Sequence, residues 1–327
     1  MTSTQAAGLR LGRRFFSHWF RRILLVVVLA FAAYTLVRNW ADVWGTVRRM
    51  PWELSIGSLI TVMAGIVAGV AAWRSIVRGL GTRISPLRAA QINLVGALGK
   101  YLPGSVWAYL LQMELGRKVG LPRSRVFTGA LIQFVVSLVV TICFAAVGLP
   151  LIFPGHPSTY LVLILVPFGL LCLHPKILTT ATNLALKSLR RKPLAQPLTF
   201  LPVLRTFGCQ LVSYILFGFH LWVVGNAIGV LHGVGGLLLC VCAISIGLNS
   251  GVVAFVLPSG AGVRDGLIVA LLMTAMPYST ALALALVSRL MFTVADVTTA
   301  GAAAALSRWR SPASEISQPP SSFVEPA

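Results

Sequence analysis

Uncharged apolar runs alternate along the chain with short clusters of arginine and lysine. The first run, Ile23–Val37, follows Arg10, Arg13, Arg14, Arg21 and Arg22 and reads as a retained signal-anchor, lengthened by snorkelling of Arg22 and Arg38. The second, Leu54–Trp73, is 20 uncharged residues, enough to cross a bilayer. No formal charge occurs between Val126 and Pro175, and Pro150–Pro157 divides that stretch into spans near 126–149 and 158–174. Residues 206–263 are uncharged again and give spans near 206–226 and 236–257, broken by Gly and His around 225–236. A last apolar stretch, Gly262–Leu306, turns at Met276-Pro277-Tyr278-Ser279. The pattern predicts an all-α polytopic integral membrane protein of about eight transmembrane helices, with one or two re-entrant or broken segments. Strict alternation, which a membrane barrel requires, is missing from these runs.

The basic clusters at 74–88, 117–125 and 176–205 set the topology. Counting eight crossings places all three, and both termini, in the cytoplasm. Treating 258–277 as a re-entrant loop instead would put Arg308 and Arg310 outside. The domain reading is a basic cytoplasmic segment (1–22), a transmembrane domain (23–306), and a Pro- and Ser-rich tail (307–327) expected to be disordered.

Composition sharpens the class. Of the 327 residues 57% are hydrophobic and 10% charged, far too few charges to cover a soluble domain. The net charge of +20 would suggest nucleic acid in a soluble protein, but its confinement between apolar runs argues for cytoplasmic loops and anionic lipid headgroups, with no nucleic acid. Cys143, Cys172, Cys209, Cys240 and Cys242 show no metal-ligand spacing, and the five histidines form no i,i+4 pair, so neither a metal nor a cofactor is expected. A phosphate-binding G-x-x-x-x-G-K-[ST] loop is not present in the sequence.

Two segments do not fit a simple span. Residues 89–116 (AAQINLVGALGKYLPGSVWAYLLQMELG) carry Lys100 in mid-run and break at Pro103-Gly104, which predicts a re-entrant hairpin of two half-helices between cytoplasmic charge clusters. Residues 249–266 (NSGVVAFVLPSGAGVRDG) repeat the design: an Asn, an apolar stretch, Leu-Pro with glycines, and a nearby cation. Asn93 lies ten residues before Pro103, and Asn249 nine before Pro258. Broken helices at corresponding positions point to a transport site, because the break frees N–H groups and a positive dipole end at membrane depth. Lys100 and Arg264, with the breaks at Pro103-Gly104 and Ser259-Gly260-Ala261-Gly262, are the expected phosphate-binding groups, and Gln91 and Asn93 could orient a headgroup. Against this, Lys100 could simply snorkel, and Arg264 with Asp265 could be a structural ion pair. Arg289 and Asp296, seven apart on one face of the last span, are expected to gate the site or balance its charge, facing inward with Arg264 and Asp265. Glu114 with Arg117 and Lys118 reads as a surface ion pair, and Trp107 and Tyr109 as interfacial residues.

The segment GKYLPGSVWAYLLQMELGRKVGL at 99–121 resembles a signature of the lysylphosphatidylglycerol synthase transmembrane, flippase-like family. LPSGAGVRDGLIVALL at 257–272 resembles its second signature, with Asp265 where Glu is typical, and Arg289 followed by a carboxylate at 296 agrees. The resemblance covers roughly residues 20–306. It implies a helical membrane fold with two re-entrant or broken regions and a role in moving lipids between leaflets. Bifunctional relatives carry a following aminoacyl-transferase domain, and with about twenty polar residues after the last span no such domain is expected here. The expected function is therefore that of a non-enzymatic lipid flippase of the bacterial inner membrane. Its cargo would be an anionic phospholipid, an aminoacylated phospholipid or a polyprenyl-phosphate glycolipid. The alternatives are a non-transporting scaffold for envelope-biosynthesis enzymes, with homo-oligomers also possible, and an integral membrane glycosyltransferase resting on Asp42 and Glu53.

Overall fold

The computed structural model describes residues 51–102, 106–188, 193–194, 196–253 and 262–309, with isolated positions between 34 and 48. The described elements are all helical. They are α1 (Trp52–Gly79), α2 (Pro86–Ala90), α3 (Val106–Lys118), α4 (Arg123–Ile152), α5 (Leu161–Cys172), α6 (Pro175–Ser188), α7 (Phe200–Ala227), α8 (Gly233–Val253), α9 (Val263–Leu272) and α10 (Tyr278–Trp309). A π-helical stretch, Gln91–Val95, and a 3-10 turn, Leu98–Tyr101, follow α2.

Five helices (α1, α4, α7, α8 and α10) are long and apolar enough to cross a membrane, or six counting the bent pair of α5 and α6. The expected eight crossings are not reached among the described residues. α9 has ten residues, about 15 Å of helix and half the hydrocarbon thickness, so the stretch after Gly262 does not span as expected. The region near 158–174 yields a 3-10 turn, Pro157–Tyr160, that leads into the 12-residue α5, with Pro167 inside it, before the chain turns by 80° into α6. The first expected span lies outside the described residues apart from Tyr34 and Val37. α10 continues through Trp309, into the segment expected to be disordered, and the rest of that tail is outside the described residues.

α1 and α7 form the central antiparallel pair, and their register is visible in side chains seven residues apart. On α1 the stripe Ser58, Gly65, Ala72, Gly79 is small throughout. α7 answers with His220, Ser213, Thr206 and Pro202. The Ser213 hydroxyl donates to the Gly65 carbonyl at 2.8 Å, and that of Thr206 to the Ala72 carbonyl at 3.1 Å. Lipid tails are as apolar as leucine, so close backbone approach and interhelical hydrogen bonds hold such a pair together. A Cβ on Gly65 would lie 2.5 Å from the Phe217 ring, which shows how near the helices come. His220 is fully buried, its ring nitrogens 2.5 Å from the Ser58 hydroxyl and 3.0 Å from that of Ser288, and so ties α10 to the pair.

α8 and α4 extend the core through Asn249. Its side chain donates to Thr141 and Tyr214 at 2.6 and 2.7 Å and accepts from Ser137 at 2.8 Å. A buried amide satisfied on all sides fixes one packing of three helices. A second apolar cluster, with Trp73, Val77, Ile84, Ile92 and Val126 at its centre, seats the first broken segment against α1, α4 and α10. Outward-facing Ile56, Ile60, Val67, Leu151, Phe168 and Val297 leave an apolar exterior suited to lipid tails.

Candidate functional site

The first broken segment is built by a change of helical pitch. Ser85 caps α2, its hydroxyl accepting from the Arg88 N–H at 3.3 Å, and Pro86 occupies the first helical turn. The backbone then widens at Gln91–Val95 and tightens at Leu98–Tyr101, a pattern that marks strained, functional stretches of helix. α3 returns antiparallel against it. Gly96 faces Gln112, and a Cβ on Gly99 would lie 2.7 Å from backbone atoms of Trp107 and Ala108. The two limbs thus form a hairpin whose contact surface is glycine on one side. Lys100 and Tyr101 sit at the described end of the first limb. Pro103 and Gly104 fall outside the described residues, and Asn93 lies half-buried in the π-helical stretch.

The second broken segment resumes at Gly262, where φ is +89°, a left-handed conformation natural to glycine. Ser259 and Gly260 lie outside the described residues. The Gly262 N–H points at Asp265 Oδ2 from 3.5 Å, at the start of α9. Gly247 of α8 packs directly on Ile268 and the Arg264 carbonyl, folding α9 back along α8.

α10 joins the two segments. Arg289, Phe292 and Asp296 lie on one face, the ends two turns or about 10 Å apart. Arg289 pairs with Asp265 of the second segment. Asp296 takes Lys100 of the first at 2.6 Å, and the Tyr101 hydroxyl donates to the same carboxylate oxygen at 2.7 Å. Between them the Arg264 guanidinium lies 4.7 Å above the Phe292 ring. Arg264 is 7% exposed, and its Nε has no hydrogen-bond partner. The Asp265 Oδ1 is likewise buried without a donor. Arg264 lies within electrostatic reach of Asp265, Arg289, Asp296 and Tyr101, so all five charges form one cluster. Among the described residues three cations face two carboxylates there, and one positive charge is left over.

Arg289 and Asp296 do not pair with each other. Each instead reaches a different broken segment, an arrangement that a spacing of seven along one helix cannot reveal. Tyr101 and Phe292 were not expected at the site. The available signals were adjacency to Lys100 for the first and an i+3 offset from Arg289 for the second. Glu114 lies apart on the exposed end of α3, held at 2.6 Å by Arg117 and 2.5 Å by Arg123. Hydrogen bonds from those two guanidiniums keep its carboxyl low, at about 2. Tyr109 packs edge-on against Phe127, with centroids 6.3 Å apart. Among the described residues no group of His, Cys, Asp and Glu could hold a metal ion.

Fold and cluster together define a multi-pass helical membrane protein whose two broken segments meet on one charged helix. The family model described as the lysylphosphatidylglycerol synthase TM region matches residues 19–301, most of the chain. The chain belongs to that family. No curated protein matches it closely enough to add a more specific likeness.

Proposed function

We propose that this protein is a transporter, not an enzyme, and that it moves a lipid with an anionic headgroup between the leaflets of the bacterial inner membrane. The observation that carries this reading is Arg264: a buried guanidinium with an unsatisfied Nε, in a cluster with one positive charge in excess. A buried cation without a hydrogen-bonded counter-ion is expensive inside a membrane protein and marks an ion or substrate pathway. A headgroup phosphate would supply the missing charge, and the start of α9 adds a positive dipole end beside it. Phospholipids, aminoacylated phospholipids and polyprenyl-phosphate glycolipids all carry that group. The hairpin from α2 to α3 is read as re-entrant from the cytoplasmic side, since Arg83, Arg88, Arg117 and Lys118 stand at its two feet. Movement is passive, or is drawn by an ion gradient, the membrane potential or consumption of the product.

The test is leaflet exchange in proteoliposomes, using fluorescent phosphatidylglycerol and a short polyprenyl-phosphate sugar. Wild-type protein is expected to speed the exchange of one of them, and Arg264→Ala and Lys100→Ala to lower that rate by about tenfold or more. Exchange that survives both substitutions in folded protein refutes the site.

A further inference from the structure

Resting on that reading, we infer that Asp296 is a built-in stand-in for the headgroup: its carboxylate holds the place of an anionic oxygen until the lipid displaces it. Two donors, Lys100 Nζ at 2.6 Å and Tyr101 OH at 2.7 Å, converge on the single oxygen Oδ2. Two strong donors converging on one anionic oxygen is how a phosphate oxygen is held as well. The 3-10 turn Leu98–Tyr101 places both side chains on α10, with Lys100 lying 5.4 Å from the centre of the Tyr101 ring. An uncharged polar headgroup cannot replace a carboxylate there, because Lys100 would lose its counter-charge. Tyr101 and Asp296 therefore set which lipids are admitted.

Burial says which partner is replaceable. The Asp296 side chain is 9% exposed and fixed on a continuous 32-residue helix, while that of Lys100 is 31% exposed on a short turn. An ion pair with one end this open is weak enough for an outside anion to compete. A displaced Asp296 is not stranded, because Arg264, which has no ion pair among the described residues, lies within its electrostatic reach. The exchange leaves Lys100 with the ligand and Arg264 with Asp296, and Arg289 keeps Asp265 throughout. The swap thus passes the arrival of a ligand at the first broken segment on to the second, through one carboxylate.

The test measures binding of a water-soluble short-chain phosphatidylglycerol to the full chain in detergent. Removing the internal competitor in Asp296→Asn should lower the dissociation constant about tenfold. Leaflet exchange should slow in the same variant, because nothing then displaces the bound anion. Asp296→Glu, which keeps the internal negative charge, should gain less affinity than Asp296→Asn, and Asp296→Asn in a Lys100→Ala background should show no gain. Asp296→Ser carries the same expectation should the asparagine variant not fold. Equal or weaker binding by folded Asp296→Asn refutes the stand-in. If Arg264→Ala abolishes exchange while Asp296→Asn binds like wild type, the lipid site stands and the stand-in falls. If wild type neither binds nor exchanges either lipid, the lipid reading falls and the stand-in with it.

Discussion

Gly99→Ala tests whether the first broken segment depends on its second limb. A Cβ at this position would meet the Ala108 nitrogen and the Trp107 carbonyl carbon at 2.7 Å and the Ala108 Cα at 2.8 Å. All three are backbone atoms, so no rotamer change relieves the contact. Ordinary van der Waals contact begins near 3.4 Å, so the two limbs must part by about 0.7 Å or the 3-10 turn must rotate. Overpacking of this kind costs about 1–3 kcal/mol. The displacement falls directly on Lys100 and Tyr101, whose contacts with Asp296 lie at 2.6 and 2.7 Å and tolerate little lengthening. Gly57→Ala is the matched control: it is also helical, but a Cβ there meets nothing within 4 Å. It should be neutral or slightly stabilising, since alanine exceeds glycine in helix propensity by roughly 1 kcal/mol. Melting of purified protein in detergent should show Gly99→Ala lower by at least about 3 °C, with Gly57→Ala at or above wild type. Leaflet exchange should fall with the first and persist in the second. Equal melting and exchange for Gly99→Ala and wild type would refute the tight hairpin.

Two further predictions concern other parts of the fold. His220→Leu leaves the Ser58 and Ser288 hydroxyls without the imidazole that bridges three helices, and should destabilise by about 2–4 kcal/mol; a wild-type melting curve would sink that reading. For Glu114, the folded carboxyl titrates at about 2 against an ordinary 4.5, so its contribution is complete above pH 4.5 and is lost as pH falls toward 2. The melting difference between wild type and Glu114→Gln should accordingly stay constant from pH 8 to about 5 and shrink below that; a difference that disappears between pH 8 and 6 would contradict the assignment.

The apolar runs made the helical membrane class legible because a hydrophobic stretch of spanning length has few other uses. Number of crossings was less legible. Hydropathy treats Gly262–Met276 as apolar sequence, and only the pairing of Gly247 with Ile268 shows that its helix folds back along α8. The α1–α7 register was hidden for a different reason. Ser58, Gly65, Ala72 and Gly79 stand seven apart, but within an apolar run small residues have no contrast by which a period is noticed. Their meaning emerges only when Ser213 and Thr206 are seen donating to the carbonyls they leave open.

The site shows the same division between charge and partner. Lys100, Arg264, Asp265, Arg289 and Asp296 could each be picked out, since an ionisable group in apolar sequence is costly and needs a reason. Which carboxylate meets which cation depends on helix packing, and packing depends on glycines and on a local change of pitch. Gly96 and Gly99 bring α3 against the first limb, and the π-helical stretch at Gln91–Val95 alters the direction in which the following turn presents its side chains. A regular helix through residues 91–101 would turn Lys100 and Tyr101 about the axis, by roughly 100° for each residue gained or lost in a turn. Any such rotation would strain the contacts of Lys100 and Tyr101 with Asp296, which lie at 2.6 and 2.7 Å. The widened turn and the two glycines are therefore as much a part of the site as the charges. This argues that substitutions at Gly96 or within Gln91–Val95 should impair exchange without removing a single ionisable group.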